Sequence, residues 1–218
     1  MRTLQQSPTL RQRFASQVNE RKAASREKTL EQLGGGIFGA IGVIGHDLYQ
    51  LKNSVKGGWG EMVASFGVSL NLPDTWYCFE NALIPVGDRV TEIDRLIVGP
   101  GGVFLIEVKN WGGVYAAFRD NWKYKKNNQW VPLDTSPTKQ SSYHQRCFYK
   151  WLRPLVPGLP RDFVHAPVVF LSVRWLGVNQ CSVPVLSGVS ALRKFLNEAG
   201  TVLSHEQVNS IVNAISHL

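Results

Sequence analysis

Two strongly apolar stretches, Arg89–Val98 and Gly102–Lys109, flank a Gly99-Pro100-Gly101-Gly102 break, and each carries charges at its end far from that break. This pattern constrains the fold more than any other feature of the chain. A Pro-Gly pair between two apolar runs predicts an antiparallel hairpin. If the loop is centred on Pro100-Gly101, paired residues sum to 201, so Asp94 faces Glu107 and Glu92 faces Lys109. Strict alternation of side chains then puts all four charges on one side. Leu96, Val98, Val103 and Leu105 line one apolar face; Ile93, Ile97, Phe104, Ile106 and Val108 line the other. A hairpin apolar on both faces belongs in the middle of a sheet covered on both sides. Opposed carboxylates there repel one another and lose hydration. A divalent cation removes that repulsion, because hard cations take oxygen ligands. The competing reading is a wet strand end with a Glu92–Lys109 surface pair.

The chain has 218 residues, 44% of them hydrophobic and 18% charged, which excludes global disorder and fits one domain with an appendage. Its net charge of +8 suggests a polyanionic partner. The extension over residues 1–56 holds nine Lys/Arg against four Asp/Glu, a surplus of five positive charges. From about Leu10 to Leu33 it reads as a polar, basic helix. The Gly34–Gly45 run that follows is about twelve residues, short of the ~20 that span a bilayer. It reads as a Gly-rich packing or homo-oligomerisation helix, with a peripheral membrane anchor as the other reading. Cys78, Cys147 and Cys181 form neither a disulfide framework nor a zinc motif, which suits a reducing compartment. Met1–Leu33 lacks the apolar core of a secretory leader, and Glu20, Glu27 and Glu31 argue against a transit peptide, so the expected location is the cytoplasm.

A compact domain is expected over residues 57–218. Met62, Val63, Phe66 and Leu70 recur at helical spacing. Residues 76–86 read as a strand, and 114–120, 121–126 and 129–133 as short strands joined by tight turns. Ser136-Pro137 starts a helix running to about Arg153, with serine as N-cap and proline in the first turn. Residues 165–171 and 183–187 read as strands, and helices near 190–199 and 204–217 close the chain. Gln140 shares its direction on the first of these helices with His144, Cys147 and Trp151, the apolar side, so it is expected to point inward, toward the site or as a satisfied core amide. His144 reads as a core histidine. Lys139, Arg146, Lys150 and Arg153 form a stripe on the opposite edge that could track phosphates. Lys123, Lys125 and Lys126, interleaved with Trp122, Tyr124 and Trp130, suit charge neutralisation and base stacking. Alternation in a small strand yields the same pattern with no ligand.

Gly57–Val68, Thr91–Gly113 and Ser136–Gln140 together resemble the nuclease-related domain family, NERD, of the PD-(D/E)XK nuclease superfamily. The resemblance covers roughly Gly57 to Trp151. It implies an α/β fold with a restriction-endonuclease-like core, a mixed central sheet flanked by helices. It also implies roles: Asp94 and Glu107 as metal ligands, Lys109 as the motif lysine, Glu61 as the acid that completes the site, and Gln140 as the helix glutamine. Ile93 stands where the superfamily has a proline. Glu92 lies outside the superfamily pattern, as a supporting residue or a partner for Lys109. The expected activity is hydrolysis of DNA phosphodiesters, RNA being the alternative, with Mg²⁺ or Mn²⁺ held by Asp94, Glu107, the Val108 carbonyl and Glu61. The competing reading is a non-catalytic nucleic-acid-binding or membrane-tethered module that keeps the nuclease fold.

Overall fold

The computed structural model describes residues 1–12, 14–17, 19–20, 70–87 and 89–218. Among them, seven strands form one mixed sheet: β1 (Arg2–Leu4), β2 (Tyr77–Val86), β3 (Arg89–Gly99), β4 (Gly102–Lys109), β8 (Val164–His165), β9 (Val168–Phe170) and β11 (Val185–Ser187). Their order is β1-β2-β3-β4-β9-β11, with β8 also on β4. A second sheet has the order β10-β5-β6-β7, built from β5 (Gly113–Phe118), β6 (Asn121–Lys126), β7 (Gln129–Pro132) and β10 (Val173–Asn179). Helices α1 (Pro137–Leu152), α2 (Gly188–Glu198) and α3 (His205–Ser216) complete the core.

The central hairpin pairs in the expected register. Val98 faces Val103, Leu96 faces Leu105 and Arg95 faces Ile106. The hairpin is covered on both sides. Phe148 and Leu152 of α1 and Ile211 and Ile215 of α3 join Leu96, Val98, Val103 and Leu105 in one buried cluster. Leu192 and Leu196 of α2 join Ile97, Phe104, Ile106 and Val169 in another. Helix termini follow local chemistry. Ser136 Oγ accepts from the Lys139 N–H at 3.2 Å with Pro137 in the first turn. Ser204 and Gln207 form a capping box at the start of α3.

Three details depart from the expected elements. The stretch read as one strand over 165–171 splits into β8 and β9 around Ala166-Pro167, since Pro167 has no N–H to give a ladder; its carbonyl accepts from the Glu107 N–H at 3.1 Å. Strand β10 carried no clear alternation, because Arg174 and Gly177 interrupt it. Residues 2–4, read as part of an extension, form an edge strand parallel to β2. The N-terminal helix begins at residue 8, and Leu10 packs with Leu83 and Val90. The Gly34–Gly45 run, the helix over 57–70 apart from Leu70, and the boundary at residue 56 lie outside the described residues. Among the described residues no helix is long and apolar enough to cross a membrane.

The hairpin tip depends on backbone freedom. Gly102 has φ 123°, and a Cβ there would lie 2.5 Å from the Phe163 carbonyl oxygen. Gly102→Ala is expected to cost about 2 kcal/mol or more of stability from strain and overlap, measured by urea unfolding.

Candidate active site

Asp94 sits just past the end of the β3–β4 pairing and at a one-position gap in the β3–β2 pairing. Toward β4, paired positions end at Arg95–Ile106. Toward β2, Glu80–Arg95 and Ala82–Ile93 pair, and the skipped residue between them, Asn81, has φ 49°. Asparagine is among the few residues that adopt this left-handed conformation at low cost. Alternation also slips here: Ile93 and Leu96, an odd and an even position, lie in the same buried cluster. The expectation that strict alternation would place Glu92, Asp94, Glu107 and Lys109 on one face therefore fails at Glu92, which is exposed, while Asp94 keeps Glu107, Lys109 and His144 as its electrostatic neighbours.

A different device brings the acids together. Beyond Ile106, β4 leaves β3 and pairs in parallel with β9, Glu107 opposite Val168 and Lys109 opposite Phe170. Asp94 Oδ2 spans the resulting fork and accepts the Val108 N–H at 2.7 Å. Val108 thus contributes its amide to the site, in addition to the carbonyl expected of it as a metal ligand. Glu107 is 5% exposed. Lys109 Nζ lies 2.7 Å from Glu107 Oε1 and 5.5 Å from the centre of the Trp111 ring. Burial first, and repulsion from Glu107 second, push the Asp94 carboxyl up to about 6, against the opposing pull of the Val108 amide, Lys109 and His144.

Helix α1 closes the site. Its buried stripe is Thr138, Ser141, His144, Phe148 and Leu152. Ser141 Oγ donates to the Ala166 carbonyl at 2.8 Å and Gln145 Nε2 to the Val164 carbonyl at 2.6 Å, which clamps the helix over β8 and β9. His144 Nε2 meets Thr91 Oγ1 at 3.1 Å, and its Nδ1 lies 3.9 Å from Glu107 Oε2. Burial holds its pKa below the usual range, so the ring is neutral and the Glu107 contact is not an ion pair. The sequence placed His144 on the buried helix face as a core histidine, and it is buried there; what the sequence did not show is its contact with Thr91 and Glu107. Thr91 and Asn81 gave no signal, since their roles arise from cross-strand geometry.

The other expected residues fall as follows. Gln140 is exposed, not inward: small hydroxyl side chains at 138 and 141 set the phase of the buried stripe and leave residue 140 at its edge. Glu92 is exposed, and the ion pair of Lys109 is with Glu107, the fork having carried Lys109 away from β3. Glu61 lies outside the described residues. Lys139, Arg146, Lys150 and Arg153 are exposed, with Tyr143 among them, on the side of α1 away from the sheet. Lys123, Lys125 and Lys126 are exposed on β6. Trp122 is buried, stacked on Phe170 at 5.2 Å with its Nε1 donating to Thr138 Oγ1, so it offers no surface to a base.

Among the described residues, no group of three or more His, Cys, Asp or Glu forms a metal cluster. Two adjoining carboxylates still fit a hard divalent ion, which commonly takes one or two carboxylates and fills its shell with water and phosphate oxygens. The repulsion that lifts Asp94 is what such an ion would relieve.

A mixed sheet flanked by helices, with paired acids at a strand fork and a lysine two residues on, defines a nuclease-like α/β core. The chain belongs to the NERD family: the model described as nuclease-related domain matches residues 56–171, a span that contains Glu61, Asp94, Glu107, Lys109 and Gln140. No curated protein and no solved structure matches the chain.

Because Asp94 binds its proton more tightly folded than unfolded, its contribution to stability falls as pH rises from about 4 through about 6. Asp94→Asn keeps an oxygen for the Val108 amide. In metal-free buffer it is expected to be more stable than wild type by about 1–3 kcal/mol at pH 7, with the gap closing toward pH 4. Thermal unfolding at the two pH values measures this.

Proposed function

We propose that this chain is a divalent-metal-dependent nuclease that hydrolyses phosphodiester bonds of DNA. The observation that carries the reading is the juxtaposition of Asp94 and Glu107 at the fork, with Lys109 on Glu107. Neighbouring, desolvated acids cost stability, and such groups cluster where they serve chemistry. A Mg²⁺ or Mn²⁺ ion held by Asp94 and Glu107, with Glu61 as a further acid, supplies charge neutralisation at the phosphate and acidifies water.

The chain's own groups do the rest. The Val108 N–H fixes one oxygen of Asp94, which orients that carboxylate. Lys109 holds its ammonium beside Glu107, where it can meet a phosphate oxygen or orient the attacking water. His144, neutral and tethered to Thr91, packs behind Glu107 and limits its movement. Gln140, one turn before His144, sits at the exposed edge of the helix, where it can contact the bound backbone. The cations of α1 face away from the acids, so their phosphate contacts lie on flanking parts of the polymer.

The second reading is a nucleic-acid-binding module without turnover. It is favoured by the direct Lys109–Glu107 pair, which already neutralises one carboxylate. Titration calorimetry separates the two: the hydrolase binds Mg²⁺ or Mn²⁺ and the module does not.

A cleavage panel on single- and double-stranded DNA and RNA with Mg²⁺ or Mn²⁺ tests the enzyme directly. Asp94→Ala, Glu107→Ala and Lys109→Ala are each expected to lower the rate by about 100-fold or more; full activity in all three would sink the assignment. Replacing Lys139, Arg146 and Lys150 together by alanine is expected to reduce the slope of log affinity against log salt by up to about 3. Cleavage at saturating DNA should stay unchanged in that variant.

A further inference from the structure

The outer face of the small sheet carries a cleft that the acid site does not use. In β5 and β6, Tyr115, Ala117 and Trp122 point into the core, so Val114, Ala116, Lys123 and Lys125 point outward. The cross-strand pairs Trp175–Val114 and Lys125–Trp130 place two indoles on this same face. Trp175 is 51% exposed and Trp130 40%, and they lean together until their ring centres are 6.2 Å apart, at 51°. Beside them lies an open cleft of about 490 Å³ that Val114 also lines. That is within the usual size of a ligand site.

Its chemistry is one-sided. Lys125 and Arg174 line it, and Lys123 Nζ sits 5.0 Å from the centre of the Trp130 ring. Among the described residues no Asp or Glu lines it. The cleft is also shaped by local devices. Val173 pairs with Gly113 and Trp175 with Val114, so Arg174 is a bulge residue. A bulge re-aims side chains, which lets Arg174 and its neighbour Trp175 reach the same cleft. A Cβ at position 177 would overlap the Trp175 ring, so Gly177 lets the indole lie against the sheet. On the other side, Asn127 and Asn128, with φ 47° and 63°, form the tight turn that ends at the cleft rim.

We propose that this cleft is a base-stacking subsite for single-stranded nucleic acid. Cations with no acid among them select an anion, and two exposed indoles select a flat aromatic group. A nucleotide strand offers both at each step. A base sandwiched between two rings needs about 7 Å between their planes. Rings at 6.2 Å and tilted instead act as two adjoining platforms for successive bases. A duplex hides its base faces and cannot use them. The location ties the cleft to the proposed hydrolase: four residues separate Lys109 from the cleft residue Val114, a path of five Cα steps and at most about 18 Å. A strand seated here reaches the acid pair, so the inference deepens the nuclease reading toward substrates with a single-stranded segment.

Anisotropy of labelled dT10 in EDTA isolates binding from cleavage. Wild type is expected to bind dT10 about ten-fold or more tightly than a duplex of equal length. Trp130→Ala and Trp175→Ala should each weaken dT10 binding about ten-fold and leave duplex binding unchanged, while Trp175→Phe retains most of it. Gly177→Val, which displaces the indole without removing it, should weaken dT10 binding as well. Equal affinity for strand and duplex would overturn the subsite, as would indifference to both tryptophan variants or displacement of dT10 by a neutral oligosaccharide. The two readings fail separately. A protein that cleaves nothing but loses dT10 on Trp175→Ala keeps the subsite and loses the hydrolase. One that cleaves but binds dT10 identically without either indole keeps the hydrolase and loses the subsite.

Discussion

The hydrogen bond from the Val108 amide to Asp94 Oδ2 is the contact on which the site depends. Where two strands part, a sheet normally leaves amides without partners, and a buried orphan costs ~1–3 kcal/mol. Here the side chain of Asp94 takes the place of the missing ladder. The same bond fixes the carboxylate beside Glu107 and opposes the desolvation that would otherwise keep it protonated. Structural necessity and site geometry thus share one interaction. Loss of Asp94 would disturb both, and this is why the isosteric asparagine is the informative substitution.

Much of this was legible in the residues. The Pro-Gly turn set the register of the central hairpin, and its apolar faces implied a buried position, because a slip of one residue would have exposed an entire face. The helix from Pro137 was readable from its cap and proline. Convergence of Asp94 and Glu107 was anticipated from that register, although the ladder ends one position before them. Strict alternation assumes an unbroken ladder, whereas Asn81 in a left-handed conformation and the departure of β4 toward β9 break it on both sides of Asp94. Gln140 was misplaced because periodicity alone does not say which side of a mixed polar face is buried. Ser141 and Thr138 look polar in sequence, yet both are buried and hydrogen-bonded. The partnership of Trp175 with Trp130 was invisible, since it joins strands far apart in the chain through a bulge.

The charge distribution divides into separate surfaces. The stripe on α1 lies on the helix's solvent side, and Lys123 and Lys125 of β6 lie on the outer face of the small sheet. Neither touches the acids. Under the proposed function, these separate surfaces would contact the phosphates of a polymer at several points around the acidic centre, without reading its sequence. The net charge of +8 is consistent with that arrangement.

Trp122 links these parts mechanically. Its ring lies against Phe170, the residue paired with Lys109, and its Nε1 holds Thr138 in the first turn of α1. One indole therefore keys the small sheet, the helix and the lysine-bearing strand to a common pivot. Replacing Trp122 by a smaller side chain would therefore loosen at once the seat of the small sheet, the first turn of the helix and the strand that flanks Lys109.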